Sequence, residues 1–325
     1  MIRARSAALA ILGSLGVSCQ AIAESSCLYI DQHGVVSQAR SVSSVPSEYR
    51  GRAVCKDTSP DEIADPHDLK LGSEVRSATF GTDLGHVTMR WTRPIERCFS
   101  SPPSRAVGEA IKAVNRALKS GRFSADIKRA QREWSLAFTD KSTAFAQFPV
   151  ALTLGQHPGF MIPPSQIYII TDFIAPNCTG AKVGDELLAQ VLLHEMGHVI
   201  EYLLLGESQT LFDRERSEGF ASWFEQYAAE YSQVIPSGSV KRYYDELARD
   251  ALRNGAAGFQ GTPADYARAA LPFQAVVRKK GIVALMDVYR RIRDEHVDWT
   301  EAILKATGWN RATLDRESRA AASIE

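Results

Sequence analysis

Residues 185–205 read DELLAQVLLHEMGHVIEYLLL. Leu187, Leu188, Val191, Leu192, Val199, Ile200 and Leu203 recur at helical spacing, and Gly206 follows the last of them. That pattern predicts one helix with a glycine stop. Inside it stand His194, Glu195, Met196, Gly197 and His198. Histidines four apart on a helix share a face, one turn from each other, so both imidazoles can reach one metal ion. Glu195 sits beside the first histidine, where its carboxylate can reach a metal-activated water without being a ligand itself. The helix is apolar around this group, which argues against two solvated surface histidines.

A catalytic zinc wants a third protein ligand and an open position. The acidic residues downstream are Glu201, Glu207, Asp213, Glu215, Glu218 and Glu225. A metzincin would need Gly at 201 and His at 204, but Glu201 and Leu204 stand there, so that class fails. Glu218 follows His198 by 20 residues. That gap suits a helix end, a loop and a returning helix that brings one carboxylate back. Phe220, Trp223, Phe224, Tyr227 and Ala228 recur at helical spacing, so a second helix is expected over 218–231.

His194, Glu195 and His198, followed by Glu218 in SEGFASWFE (217–225), resemble the gluzincin metallopeptidases of the thermolysin-like clan, and within it the peptidase-MA-like branch. The resemblance implies a zincin-like α+β domain: a small mixed sheet, the HExxH helix, then a helical C-terminal part. It implies Zn2+ held by His194, His198 and Glu218, with Glu195 as general base, and hydrolysis of a peptide or protein substrate. Thermolysin-type enzymes place an aspartate one turn after the glutamate ligand. Here Ser222 occupies that position, so either another group, such as Glu225 two turns on, orients a histidine, or that support is absent.

The C-terminal third extends the likeness. YARAALPF (266–273), Gly281, Ile282, Val288, Tyr289 and AILKATG (302–308) resemble the helical region that closes such domains. A tyrosine there donates to the oxyanion, which points to Tyr266 here; a phenol O–H is a suitable donor to a developing tetrahedral oxyanion. Tyr243 and Tyr244 are lesser candidates. The G-A-M-E-N motif of the aminopeptidases is absent, so amino-end specificity is not implied.

Upstream of the metal motif the chain divides further. Val75–Phe80, His86–Trp91, 148–154 and Gln166–Phe173 are expected strands, and Pro103–Ser120 an amphipathic helix closed by Gly121. The strand at 166–173 is the expected partner for an extended substrate by edge addition. Residues 57–73 hold Pro60, Pro66 and five acidic residues and read as a linker. Residues 24–56 read as a disulfide-closed β-hairpin module, with Gly34 at the turn. This stretch resembles the short N-terminal module of proteobacterial envelope proteins. The main domain is then expected over 74–325.

Residues 1–23 carry Arg3 and Arg5, an apolar stretch over 7–17, and Ala21 and Ala23 flanking Ile22. This is the anatomy of a secretory signal peptide, and it implies a periplasmic or secreted protein. Cleavage after Ala23 removes Cys19 and turns five cysteines into four. Four in an exported chain are expected to form two disulfides, with Cys27–Cys55 and Cys98–Cys178 preferred because each stays within one domain. No later run of the 325 residues approaches a transmembrane length, so no integral membrane segment is expected after cleavage. Lys plus Arg equals Asp plus Glu at 38 each, which gives no electrostatic pull toward nucleic acid. The rival expectation is a non-catalytic zinc-containing envelope module that binds a partner. A third is hydrolysis of a non-peptide amide.

Overall fold

The computed structural model describes residues 26–30, 36–39, 45, 47, 54–56, 71, 75–82, 85–123, 127, 133–147, 158–162, 165–174, 182–206, 213–254 and 258–322. The expected signal segment 1–23, most of the linker, the strand expected at 148–154, Glu207 and Cys178 lie outside them. The protein is mixed α+β, with two sheets and a long helical C-terminal part. Among the described residues no helix is long and apolar enough to cross a membrane.

The first sheet joins β1 (Ser26–Ile30), β2 (Val36–Ala39) and β3 (Val54–Lys56) in the order β2-β1-β3, all antiparallel. The hairpin expected around Gly34 is therefore the β1–β2 pair. The β1–β3 register sets Cys27 directly opposite Cys55.

The second sheet carries β4 (Val75–Thr82), β5 (Gly85–Thr92), β6 (Trp134–Thr139), β7 (Gly159–Ile162) and β8 (Gln166–Ile170) in the order β4-β5-β6-β8-β7. The three inner strands run parallel, and each edge strand is antiparallel to its neighbour. Parallel strands need a crossover. Helix α1 (Arg93–Glu96) and the long helix α2 (Pro103–Ser120) make the one between β5 and β6. Alternation decides which side chain faces which layer. Val87, Met89, Trp134, Leu136, Phe138, Ile167 and Ile169 enter the main core, while Ala137, Tyr168 and Ile170 face a smaller cluster with Phe160 and Leu71. All five residues of β8 are buried, as a central strand covered on both faces requires.

That position corrects one expectation. The strand expected to receive substrate has β6 on one side and β7 on the other, so its ladder is full. It also ends at Ile170: Thr171–Ile174 is a helical turn, α4, after the earlier short helix α3 (Lys141–Gln147). Among the described residues, the edge on that side of the sheet belongs to β7.

The rest is helical: α5 (Asp185–Leu205), α6 (Arg214–Ala229), α7 (Ser239–Arg253), α8 (Pro263–Lys280), α9 (Ile282–Glu295), α10 (Trp299–Thr307) and α11 (Arg311–Ala322). Helix α5 is apolar around most of its girth because it is covered on several sides; α2, α6, α9 and β7 all pack on it. Helix α6 starts four residues before the expected Glu218, where Asp213 accepts a hydrogen bond from the Arg216 amide as its N-cap.

Two glycines let these helices approach closely enough for their side chains to converge. A Cβ on Gly197 of α5 would lie 2.9 Å from the Ala221 Cα of α6, and one on Gly219 would run into the Ala269 carbonyl of α8. Register between α5 and α6 is fixed by a buried pair. Arg216 Nε donates to Glu201 Oε1 at 3.2 Å, and the Tyr289 hydroxyl from α9 donates to the same oxygen at 2.8 Å. Losing one partner of such a buried pair costs about 3–5 kcal/mol, because the other charge is left unpaired in the core.

Candidate metal centre

Helix periodicity puts His194 and His198 on the face of α5 that α6 covers, and the Gly197–Ala221 contact brings Glu218 against them. His194 Nε2 lies 3.2 Å from Glu218 Oε2, and His198 Nε2 lies 3.3 Å from the same oxygen. One donor atom from each of the three falls within 4.8 Å of the others. Ligands about 2.0–2.1 Å from a tetrahedral zinc stand about 3.3–3.4 Å apart. The two nitrogen–oxygen separations are compatible with that spacing, so the group could hold a metal ion.

The far side of each imidazole is also held. His194 Nδ1 lies 3.2 Å from Glu225 Oε2, and a carboxylate only accepts, so Nδ1 carries the proton. His198 Nδ1 lies 3.0 Å from Ser217 Oγ. These contacts turn both Nε2 atoms toward the common point. Glu225 is itself gripped: Gln190 Nε2 donates to Oε1 at 2.8 Å and the Tyr244 hydroxyl to Oε2 at 2.7 Å. Glu225, two turns after Glu218, thus holds the Nδ1 side of His194, while Ser222 is buried.

Charge in the centre is arranged for a cation. Burial alone would lower the His194 pKa, but hydrogen bonds and charge from Glu218 and Glu225 outweigh it and hold it well above the ordinary histidine value. Burial would raise Glu218, but the two histidines outweigh that and hold it well below the usual carboxylate range. A divalent ion bound there would replace the Nε2 proton against Glu218, while Nδ1 would keep its proton toward Glu225.

Glu195 differs from both. It is 4% exposed, and burial pushes its carboxyl up against the pull of His198 and His194. Its Oε2 is buried with no hydrogen-bond partner among the described residues. A Cβ on Gly159 of β7 would lie 2.6 Å from its Oε1, so glycine there leaves room for the carboxylate under the sheet edge. A buried carboxylate with a raised pKa and an unused oxygen has the character of a general base.

Tyr266, in the first turn of α8, borders this group, its ring centroid 5.9 Å from that of His194. Burial, with the charge of Glu218, pushes its phenol far above the ordinary value, so it stays a neutral donor. Of the lesser candidates, Tyr244 uses its hydroxyl on Glu225, and Tyr243 is 48% exposed. The other downstream acids also have places: Glu201 pairs with Arg216, and Asp213 caps α6. Cys98 is disulfide-bonded.

Ser217, Gln190 and Arg214 contact the centre without being named as candidates in the sequence, Arg214 through Nε at 3.9 Å from Glu218 Oε1, whereas Tyr244 is named for a different role. For Ser217 a signal existed, since it precedes the candidate ligand directly. Gln190 carries none, because only the packing of α5 on Glu225 gives it a role.

Glu225→Gln is expected to keep the fold and weaken zinc binding by about 10- to 100-fold, the usual effect of losing such an outer partner. Competition against a chromogenic chelator measures it; unchanged affinity would remove Glu225 from the site. No family model matches the chain, and no curated protein matches it.

Proposed function

We propose that this protein is an exported zinc-dependent peptidase of the gluzincin kind, with a zincin-like domain as its catalytic body. One observation carries the proposal: a His194–His198–Glu218 group whose donor atoms lie within 4.8 Å of one another stands beside a buried carboxylate with a raised pKa. Zinc held there would act as a Lewis acid and lower the pKa of a coordinated water toward neutrality. Glu195 accepts the proton of the attacking water and delivers it to the leaving amine. Tyr266 donates a hydrogen bond from its phenol O–H to the developing oxyanion and keeps its proton. Among the described residues β7 lies at the sheet edge beside the site, with Gly159 against Glu195, and is the strand an extended peptide would approach. Backbone hydrogen bonds of that kind hold a peptide independently of most of its side chains.

A mixed peptide library tests the proposal. The zinc-loaded chain is expected to produce new termini by mass spectrometry, 1,10-phenanthroline to abolish them, and added zinc to restore them. A zinc-loaded chain that cleaves nothing favours the non-catalytic binding module.

A further inference from the structure

Tyr244 reaches the metal centre from a helix that supplies none of the three candidate ligands. It lies on α7, where Val240, Ala248 and Ala251 share its buried face. The Tyr243 ring meets its own edge-on, with centroids 5.6 Å apart. The phenol is thus seated in the core, and its hydroxyl stands 2.7 Å from Glu225 Oε2. That separation belongs to a hydroxyl donating to a charged oxygen.

Glu225 is itself 2% exposed, and its two oxygens meet three donors. Oε1 accepts from Gln190 Nε2 at 2.8 Å, and Oε2 accepts from the Tyr244 hydroxyl and from His194 Nδ1, the latter at 3.2 Å. Among the described residues no lysine or arginine pairs with Glu225. Hydrogen bonds therefore carry its charge, and each donor counts. Gln190 stands one turn before His194 on α5, so its bond moves with the ligand helix. Tyr244 ties the same carboxylate to α7 and fixes it from outside that helix.

A carboxylate that faces a ligand imidazole sets which nitrogen carries the proton and how the ring is turned. We infer that Tyr244 is a positioning residue for His194: by holding Glu225 Oε2, it fixes the carboxylate that aims His194 Nε2 at the metal. The inference rests on the proposed metal centre. It also removes Tyr244 from the possible oxyanion donors, because its single proton is committed to Glu225.

The test uses the full chain, with zinc affinity read by competition against a chromogenic chelator. Tyr244→Phe is expected to weaken zinc by about 10-fold, the lower end of the range for an outer partner. In a Glu225→Leu background, which lacks the group Tyr244 acts through, Tyr244→Phe is expected to add no further loss. A second readout needs only mild variants. In zinc-loaded protein with isotope-labelled histidine, Tyr244→Phe is expected to move the NMR signal of His194 Nδ1–H. The His198 signal, identified by its response to Ser217→Ala, is expected to stay in place. Wild-type affinity in Tyr244→Phe, a full added loss in the double variant, or equal movement of both histidine signals would each overturn the inference. Failure of the metal centre itself looks different: the wild-type chain would then take up no zinc.

Discussion

Glu195→Gln is expected to bind zinc as the parent does and to lose peptide turnover by about 10²- to 10⁴-fold, the range of a removed general base. The amide is nearly isosteric, so the pocket under Gly159 still closes around it. His194, His198 and Glu218 keep their places, since none of them hydrogen-bonds Glu195. The folded state loses little, because the carboxylate is buried against its own charge preference and one of its oxygens has no partner among the described residues. Stability held or raised while turnover falls is the signature of a residue retained for chemistry. Measuring kcat/KM and the urea midpoint on one preparation checks both. Turnover equal to the parent at equal zinc content would sink the assignment of the base.

His194→Ala is expected to take the metal away altogether. It removes one of three ligands and leaves Glu218 and Glu225 facing each other without the imidazole that joins them. Two buried carboxylates without a cation between them repel and are poorly solvated. The expected result is zinc below about a tenth of an equivalent by elemental analysis after dialysis, no turnover, and a lower unfolding midpoint even without metal. Zinc that stayed at one per chain would refute the ligand assignment.

These effects follow from features legible to different degrees in the chain itself. Helix α5 is readable to its ends, because its apolar positions and Gly206 are local signals. The pairing of Glu218 with the histidines is readable as a distance along the chain. The closeness itself depends on Gly197 and Gly219, whose role appears only when the Ala221 and Ala269 backbones lie against them. The same limit hides Arg214 and Gln190, since polar residues on helix faces look alike until a second helix covers them. The sheet order is the least legible part. An apolar run such as Gln166–Ile170 announces a buried strand, yet burial on both faces is what makes it central and hands the edge to β7.

The central claim is the metal centre, and anomalous diffraction at the zinc absorption edge, from crystals of untagged protein, tests it most directly. The account predicts one anomalous peak per chain, bonded to His194 Nε2, His198 Nε2 and Glu218 Oε2 at about 2.0–2.2 Å. A zinc-saturated crystal with no peak between those atoms, or with its zinc held by other residues, would contradict it.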